Sequence, residues 1–597
     1  MTGPLEVELK LELSAAALPQ FRKLPLIREL AASAKRSAQV SVYFDTDTHK
    51  LRRHGLTLRI RRVGDRYTQT IKATRDSNIL ARNEWESEIG DEEPDLARAR
   101  GTALDPLLTG KFRRKLKPQF ETRVRRTVFS LERDGAVIEL ALDVGTIETG
   151  VASMRLCEIE LELQRGDKAQ LFEVARLISR ALPAQLALTS KSERGYRLLN
   201  DVHDAPVKFA AVSLTREMTT RDAFREIGLA CLRQIAGNEP AMLKDDAEGV
   251  HQMRVGLRRL RTAISLFSAI LQDRQTEQIK AELKWITGEL GPARELEVLV
   301  AHVVKPARRR KSGWNGIPKL SRQFTGQRSA ALARAREAVA GERYRLLKIE
   351  VAAWLETGEW TAPHDDLLRD RGALPIAVIA DEQLSLRRRK IRKRAKSFTK
   401  LDARRRHKLQ IQAKKIRYAT DFFGSLFSEK RSDKRRIKFL AALESVQDCL
   451  GDLNDIAVHE SMISRRHAAS PIQPQQGLRR RPLDRTGRRA LRRGDGGRRR
   501  RARPVRQDQA LLGMSASARL AIGALTLSHY ATRTTSRRSC GHDQVGHGRR
   551  QPRPPRVTRP RRSRHGRLPA GWLSRLPVDR DACRQGAGAG PERRRKP

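Results

Sequence analysis

Apolar and charged residues alternate in steps of two through much of the first 200 residues. Short runs of this kind occupy 40–46, 56–63, 67–73, 83–89, 122–131, 136–145 and 157–163, and turn residues such as Gly64-Asp65 and Asp134-Gly135 separate them. A β-strand sends successive side chains to opposite faces, so each run has one apolar and one charged face. The chain opens with such a run, Glu6-Val7-Glu8-Leu9-Lys10, and a near echo returns at Glu158-Ile159-Glu160-Leu161-Glu162. Helical patterns interrupt only near 14–32 and at 168–182. Regularly spaced strands with turn signals predict an antiparallel barrel or closed sheet over residues 1–200.

From about 212 to 465 the period changes, and apolar residues recur at three and four. This predicts an all-helical domain. The helices at 251–271 and 407–427 read as one unit repeated: His251, Arg254, Arg258 and Arg261 stand 156 residues before His407, Gln410, Lys414 and Arg417. Each set keeps to one helix face. A second echo sets Leu290–Glu295 against Leu450–Asp455. A duplicated helical bundle is expected, with a loop or frayed helix at 305–328 and a connection at 363–375.

Charge changes the picture only after its distribution is known. The chain carries a net +53, but 34 basic and 7 acidic residues fall in 471–597, so half of the excess sits in the last fifth. That segment, rich in Arg, Gly and Pro with little periodicity, reads either as a disordered nucleic-acid-binding tail or as out-of-frame translation of a GC-rich gene. The five cysteines are widely spaced with no CxxC, which fits reduced thiols. No signal-like start and no membrane-length apolar run is present, so a cytoplasmic protein is expected.

The charged strand faces carry candidate chemistry. They are nearly pure Glu, Arg and Lys: Glu6/Glu8/Lys10, Arg59/Arg61, Thr70/Lys72, Arg82/Glu84/Glu86, Arg126, Glu139/Asp143 and Glu158/Glu160/Glu162. Each alone reads as a solvated outer face. Turned inward together, they would line a tunnel of both signs, where basic groups grip phosphate and carboxylates hold a divalent metal.

The ExExK opening, YFDT at 43–46, LRIR at 58–61, TIK at 70–72, IELALD at 138–143, CEIELEL at 157–163 and SKSERGY at 190–196 resemble the CYTH domain of the triphosphate tunnel metalloenzymes, over nearly all of residues 1–200. The resemblance implies an eight-stranded tunnel. It implies Glu6, Glu8, Glu158 and Glu160 as ligands of Mg²⁺ or Mn²⁺, and Lys10, Arg59, Arg61, Lys72, Arg126 and Lys191 as phosphate grips. Arg125 is the alternative to Arg126, one residue away in register. Glu84 and Glu139 are implied as catalytic, water-orienting groups.

VHQMRVGLRRLRTA and HKLQIQAKKIRYA, with LGPARE and LGDLND, resemble the CHAD domain, a family of duplicated helical bundles that binds inorganic polyphosphate. His251, Arg254, Arg258, Arg261, His407, Lys414 and Arg417 are the implied contacts. Gln410 departs from the arginine usual in the family.

The expected protein is therefore multi-domain. An α+β antiparallel barrel at 1–200 hydrolyses inorganic triphosphate to pyrophosphate and phosphate. An all-α domain at 212–465 binds polyphosphate and could place the protein at polyphosphate granules, and a tail follows from 470. The rivals are a polyphosphate-binding protein without turnover and a CYTH enzyme acting on a nucleotide or thiamine triphosphate. Nucleic acid is disfavoured as a partner because no base-reading module is evident.

Overall fold

The computed structural model describes residues 5–73, 80–202, 205–304, 317–395, 401–427, 429 and 433–447. The expected echo at 450–455 and the Arg-rich tail lie outside the described residues.

All eight alternating runs are strands: β1 Leu5–Glu12, β2 Lys35–Asp45, β3 Leu56–Val63, β4 Arg66–Ala73, β5 Ala81–Ile89, β6 Lys117–Arg133, β7 Ala136–Glu148 and β8 Ser153–Arg165, with a two-residue β9 at Gln185–Leu186. They form one antiparallel, tunnel-like sheet in the order β5-β4-β3-β2-β6-β7-β8-β1-β9, and β5 also pairs with β1 from Leu5↔Asn83 to Val7↔Ala81. The β6–β7 hairpin turns at Asp134 and Gly135, both at positive φ (47° and 77°), as a tight turn between right-twisted strands requires.

The apolar faces point outward into covering helices. Leu9, Leu11, Ile138, Leu140, Ile159 and Leu161 form one core with Leu171, Phe172, Val174 and Ile178 of the Ala169–Ala181 helix. Leu58, Ile60 and Ile71 form a second core with Phe44, Leu104 and Phe112. The charged faces are left to line the interior.

The first core continues into the helical domain. The Ala169–Ala181 helix lies between the sheet and the Glu342–Thr357 helix, where Arg176 grips Glu350 through Nε (2.7 Å) and Nη2 (2.9 Å). Buried Lys348 bonds Gln185 at 2.8 Å and Glu239 at 2.6 Å.

The duplication is visible in the backbone. The helices Ala247–Leu266 and Ala403–Phe422 start and end 156 residues apart. Each is capped by an aspartate, Asp246 and Asp402, whose side chain accepts a backbone N–H of the first turn. Thr220–Ala236 and Ile376–Ala395 begin at the same offset. At their starts Thr220 N–H donates to Leu374 O (2.9 Å) and Ile376 N–H to Met218 O (2.8 Å), a reciprocal pair about the Thr219↔Pro375 bridge. The repeats are thus joined near a local two-fold.

The helical half also departs from expectation. The segment expected as loop or frayed helix is ordered helix from Ile317 to Ala340, and its part before 317 lies outside the described residues. The expected connection contains a helix at Asp366–Ala373, capped by Asp365.

Candidate active site

Strand register decides which charges meet, because directly paired residues share a face. On the inner face, Lys10 opposes Glu160 and Glu8 opposes Glu162. Asp143 opposes both Glu158 and Arg126. Lys72 opposes Glu84.

One group forms where β6, β7, β8 and the Lys191–Leu199 helix converge. Oxygens of Asp143, Glu158 and Glu160 lie within 4.8 Å of one another. Lys191 Nζ sits among them, 2.6 Å from Asp143, 2.5 Å from Glu158 and 2.9 Å from Glu160. Arg126 forks onto Asp143 with two 2.7 Å bonds and also reaches Glu160. Lys10 bridges Glu160 and Glu8, the latter at 2.9 Å, and Arg194 reaches Glu158. Burial alone would raise the Glu160 and Asp143 carboxyls. The surrounding Lys10, Lys191 and Arg126 outweigh it at Glu160, and Lys191 and Arg126 do so at Asp143, so both are held low.

A second group lies where β1 meets β4 and β5. Lys72 Nζ is 2.9 Å from Glu6 and 2.5 Å from Glu84, and Arg59 is 3.5 Å from Glu84. Burial and a hydrogen bond to Glu84 push the Glu6 carboxyl up. Glu84 is held low, against its burial, by that same bond and by Lys72 and Arg59. Between the groups, Glu162 is raised to about 7 by burial and by Glu6, Glu139 and Glu8.

The cations also crowd each other. Arg61 is lowered to about 10, first by neighbouring Arg59, then by burial and by Arg126. Like charges packed together cost stability unless an anion joins them.

The register gathers Glu158 and Glu160 with Asp143, while Glu6 lies with Lys72 and Glu84, and Glu8 lies with Lys10. Glu139 lines the same wall, opposite Glu162. Arg126 faces the cluster, and Arg125 points to the exposed side. Arg194 and Asp45 were missed as site residues. Ser190 caps the Lys191–Leu199 helix by accepting the Glu193 N–H at 3.2 Å. Ser190 and Glu193 have the S-x-x-E spacing of a capping box, and that signal would have placed Lys191 and Arg194 on one helix face. Asp45 accepts from Leu51 N–H (2.8 Å), Arg52 N–H (3.0 Å) and the Tyr196 hydroxyl (2.8 Å), tying YFDT to SKSERGY.

All three cluster residues are oxygen donors, the set that hard divalent cations prefer. A cationic ammonium already sits where their oxygens converge, so the donors fit such an ion.

In the helical domain, His251, Arg254 and Arg258 lie on the Ala247–Leu266 helix with Arg294 nearby. Burial and then Arg294 lower His251, Glu248 opposes them, and Arg258 and Arg254 add smaller lowering effects. Burial, Arg258 and Arg294 lower Arg254. Arg258 donates to the Tyr418 hydroxyl at 2.9 Å, joining the repeats. Lys415 is lowered by burial and by Arg387, Arg261 and Lys390. Arg417 is held by Glu444 at 3.0 Å, His407 is exposed, Lys414 is half-buried and Gln410 is buried.

The tunnel-like sheet and the duplicated helical bundle each match a known domain family. Residues 4–196 match the CYTH domain and residues 226–464 match the CHAD domain. The chain thus carries a CYTH domain followed by a CHAD domain. It is 29% identical over 199 residues to the inorganic triphosphatase of Haemophilus influenzae, covering 32% of this chain and 54% of that protein. The chain thus spans about half the length of this curated relative. The CHAD domain structure from the plant Ricinus communis is 29% identical and covers 45% of this chain and 86% of its own, with a TM-score of 0.39. A Hippeastrum protein described as an adenylyl cyclase with a dominant triphosphatase activity is 18% identical, covering 32% of this chain and 95% of its own, with a TM-score of 0.25. Among the described residues, no helix is long and apolar enough to cross a membrane.

Proposed function

We propose that the N-terminal sheet forms a tunnel that hydrolyses inorganic triphosphate to pyrophosphate and phosphate with Mg²⁺ or Mn²⁺, and that the helical domain binds polyphosphate. One observation carries the reading: Lys10, Arg59, Arg61, Lys72, Arg126 and Lys191 all face one interior together with Glu6, Glu8, Glu84, Glu139, Asp143, Glu158 and Glu160. The pairing of β1 with β5 supports closure of that interior.

Arg59, Arg61, Lys72 and Arg126 bind the non-bridging oxygens of the triphosphate and hold its terminal phosphorus in line for attack. A divalent cation bound by Asp143, Glu158 and Glu160 would supply Lewis-acid neutralisation of charge on the transferred phosphoryl group. The Glu84 carboxylate orients a water and takes up its proton. The water oxygen bonds to phosphorus as the bond to the pyrophosphate oxygen breaks. The fixed cations stabilise the charge that gathers on the leaving pyrophosphate.

In the helical domain the support is electrostatic. His251, Arg254, Arg258 and Arg294 crowd one another there, as do Arg261, Arg387, Lys390 and Lys415, as expected of a surface completed by a polyanion. A polyphosphate-holding domain beside a triphosphate tunnel would keep the enzyme at its substrate. Phosphate release from tripolyphosphate by the purified chain, with and without Mg²⁺, tests the tunnel reading. Release that persists undiminished in Lys72→Ala would contradict it.

A further inference from the structure

The helices do not cover the whole outer face of the sheet. Outward residues of β2, β3, β6, β7 and β8 floor a groove of about 1000 Å³ there. The short Ala15–Ala17 helix borders it on one side, and the Gly64-Asp65 turn between β3 and β4 on the other. The register sets Arg62, Arg123 and Arg155 in one cross-strand row on alternate strands, β3, β6 and β8. Arg125 stands in the next row, and the apolar Val40 and Val144 lie between the arginines.

Arg123 is held by Glu121 at 2.6 Å and by Glu148 at 3.4 Å. Arg62, Arg125 and Arg155 are exposed and make no ion pair among the described residues. Of the two acids in the lining, Glu12 faces Arg194 at 3.7 Å, and Asp65 makes no ion pair among the described residues. Three unpaired arginines therefore stand against one unpaired carboxylate.

An acidic run stands beside the same turn. Ile89 at the end of β5 pairs with Tyr67 near the start of β4, so the chain leaves the sheet next to Gly64-Asp65 and continues as Asp91-Glu92-Glu93. These three are exposed, and none pairs with a cation among the described residues. Asp91 Oδ1 accepts the Glu93 N–H at 2.9 Å, which braces the run.

A basic groove next to an acidic run is a self-complementary patch. A two-fold axis can set each groove against the run of the other copy, the isologous arrangement of a closed dimer. The segment 471–597 does not suit the groove, because its 34 basic residues against 7 acidic carry the groove's own sign. We propose that this patch is an interface between two copies of the chain, with Asp91-Glu92-Glu93 of each docked on Arg62, Arg125 and Arg155 of the other. The contacts use outward residues alone and leave the charged interior to its own chemistry.

Sedimentation velocity of the purified full chain tests this, at about 50 mM and about 500 mM NaCl. Wild type is expected to dimerise at low salt and to dissociate at high salt, because exposed charges are screened. Arg125→Glu with Arg155→Glu in one variant, and Glu92→Arg with Glu93→Arg in another, should each weaken dimerisation about a hundredfold or more, since like charges then face each other. The two variants mixed should dimerise again, with one contact native and the other inverted in sign. Misfolding cannot produce that rescue. A wild type that stays monomeric at low salt would overturn the proposal. So would a dimer indifferent to salt, variants that dimerise like wild type, or a mixture that stays monomeric.

Discussion

The Lys191 ammonium lies within 2.9 Å of three carboxylates, where a divalent cation would find its oxygen donors. Two cations cannot share that position, so Lys191 and a metal ion compete for it, and a bound ion would turn the lysine toward substrate phosphate. Lys191→Met is therefore expected to bind Mn²⁺ about tenfold more tightly by titration calorimetry, and its metal-free form should melt earlier and be rescued by Mn²⁺. Unchanged or weaker Mn²⁺ binding would contradict the competition. Arg126 forks onto Asp143 in a geometry that lysine cannot copy. Arg126→Lys should lower kcat/KM for tripolyphosphate by about ten- to a hundredfold, with circular dichroism unchanged. At this scale the sequence exposed the residue types and their faces, because period two is local. It did not reveal their grouping. Asp143 joins Glu158 and Glu160 only through the β7–β8 register, and register is a property of two strands together.

The strands were legible because each carries its own alternation, and LTLRIRRV coincides with β3. The Lys191–Leu199 helix was not, because its apolar positions are few and its capping signal is short. Its seat depends on Gly195, where a Cβ would lie 2.2 Å from the Phe120 ring. Gly195→Ala should lift this helix off the sheet, lowering the melting temperature and, through displaced Lys191 and Arg194, the kcat/KM for tripolyphosphate. Full activity in that variant would detach the helix seat from catalysis. The repeated helices were legible through His251 and His407, and their Asp246 and Asp402 caps stand at the same offset. His251 offers a pH handle. Its folded pKa lies below the ordinary 6.5, so the unfolded chain gains the proton first and folded stability declines as pH falls through that range. A bound polyanion would favour the proton on His251. Polyphosphate affinity should therefore rise as pH falls from neutrality toward the lowered value, and His251→Gln should flatten the profile.

For the molecule as a whole, net charge was the loudest signal in the sequence and the least specific. Half of it lies in 471–597, outside the described residues, while the site depends on buried charges of both signs that nearly cancel in any sum. On the out-of-frame reading, resequencing should find an insertion or deletion near codons 465–475, and an intact frame with the tail visible by mass spectrometry would remove that reading. The junction of the two domains was not legible at all, because Arg176–Glu350 and Lys348–Gln185 join residues more than 100 positions apart. The central claim is that the charged interior of the sheet is a triphosphate-hydrolysing site. Its most direct test is phosphate release from tripolyphosphate by the purified chain with Mg²⁺, beside Lys72→Ala. Metal-dependent release in wild type, reduced about a hundredfold or more in the variant, is the predicted result. Equal release by both, or none by the folded wild type with either Mg²⁺ or Mn²⁺, would contradict it.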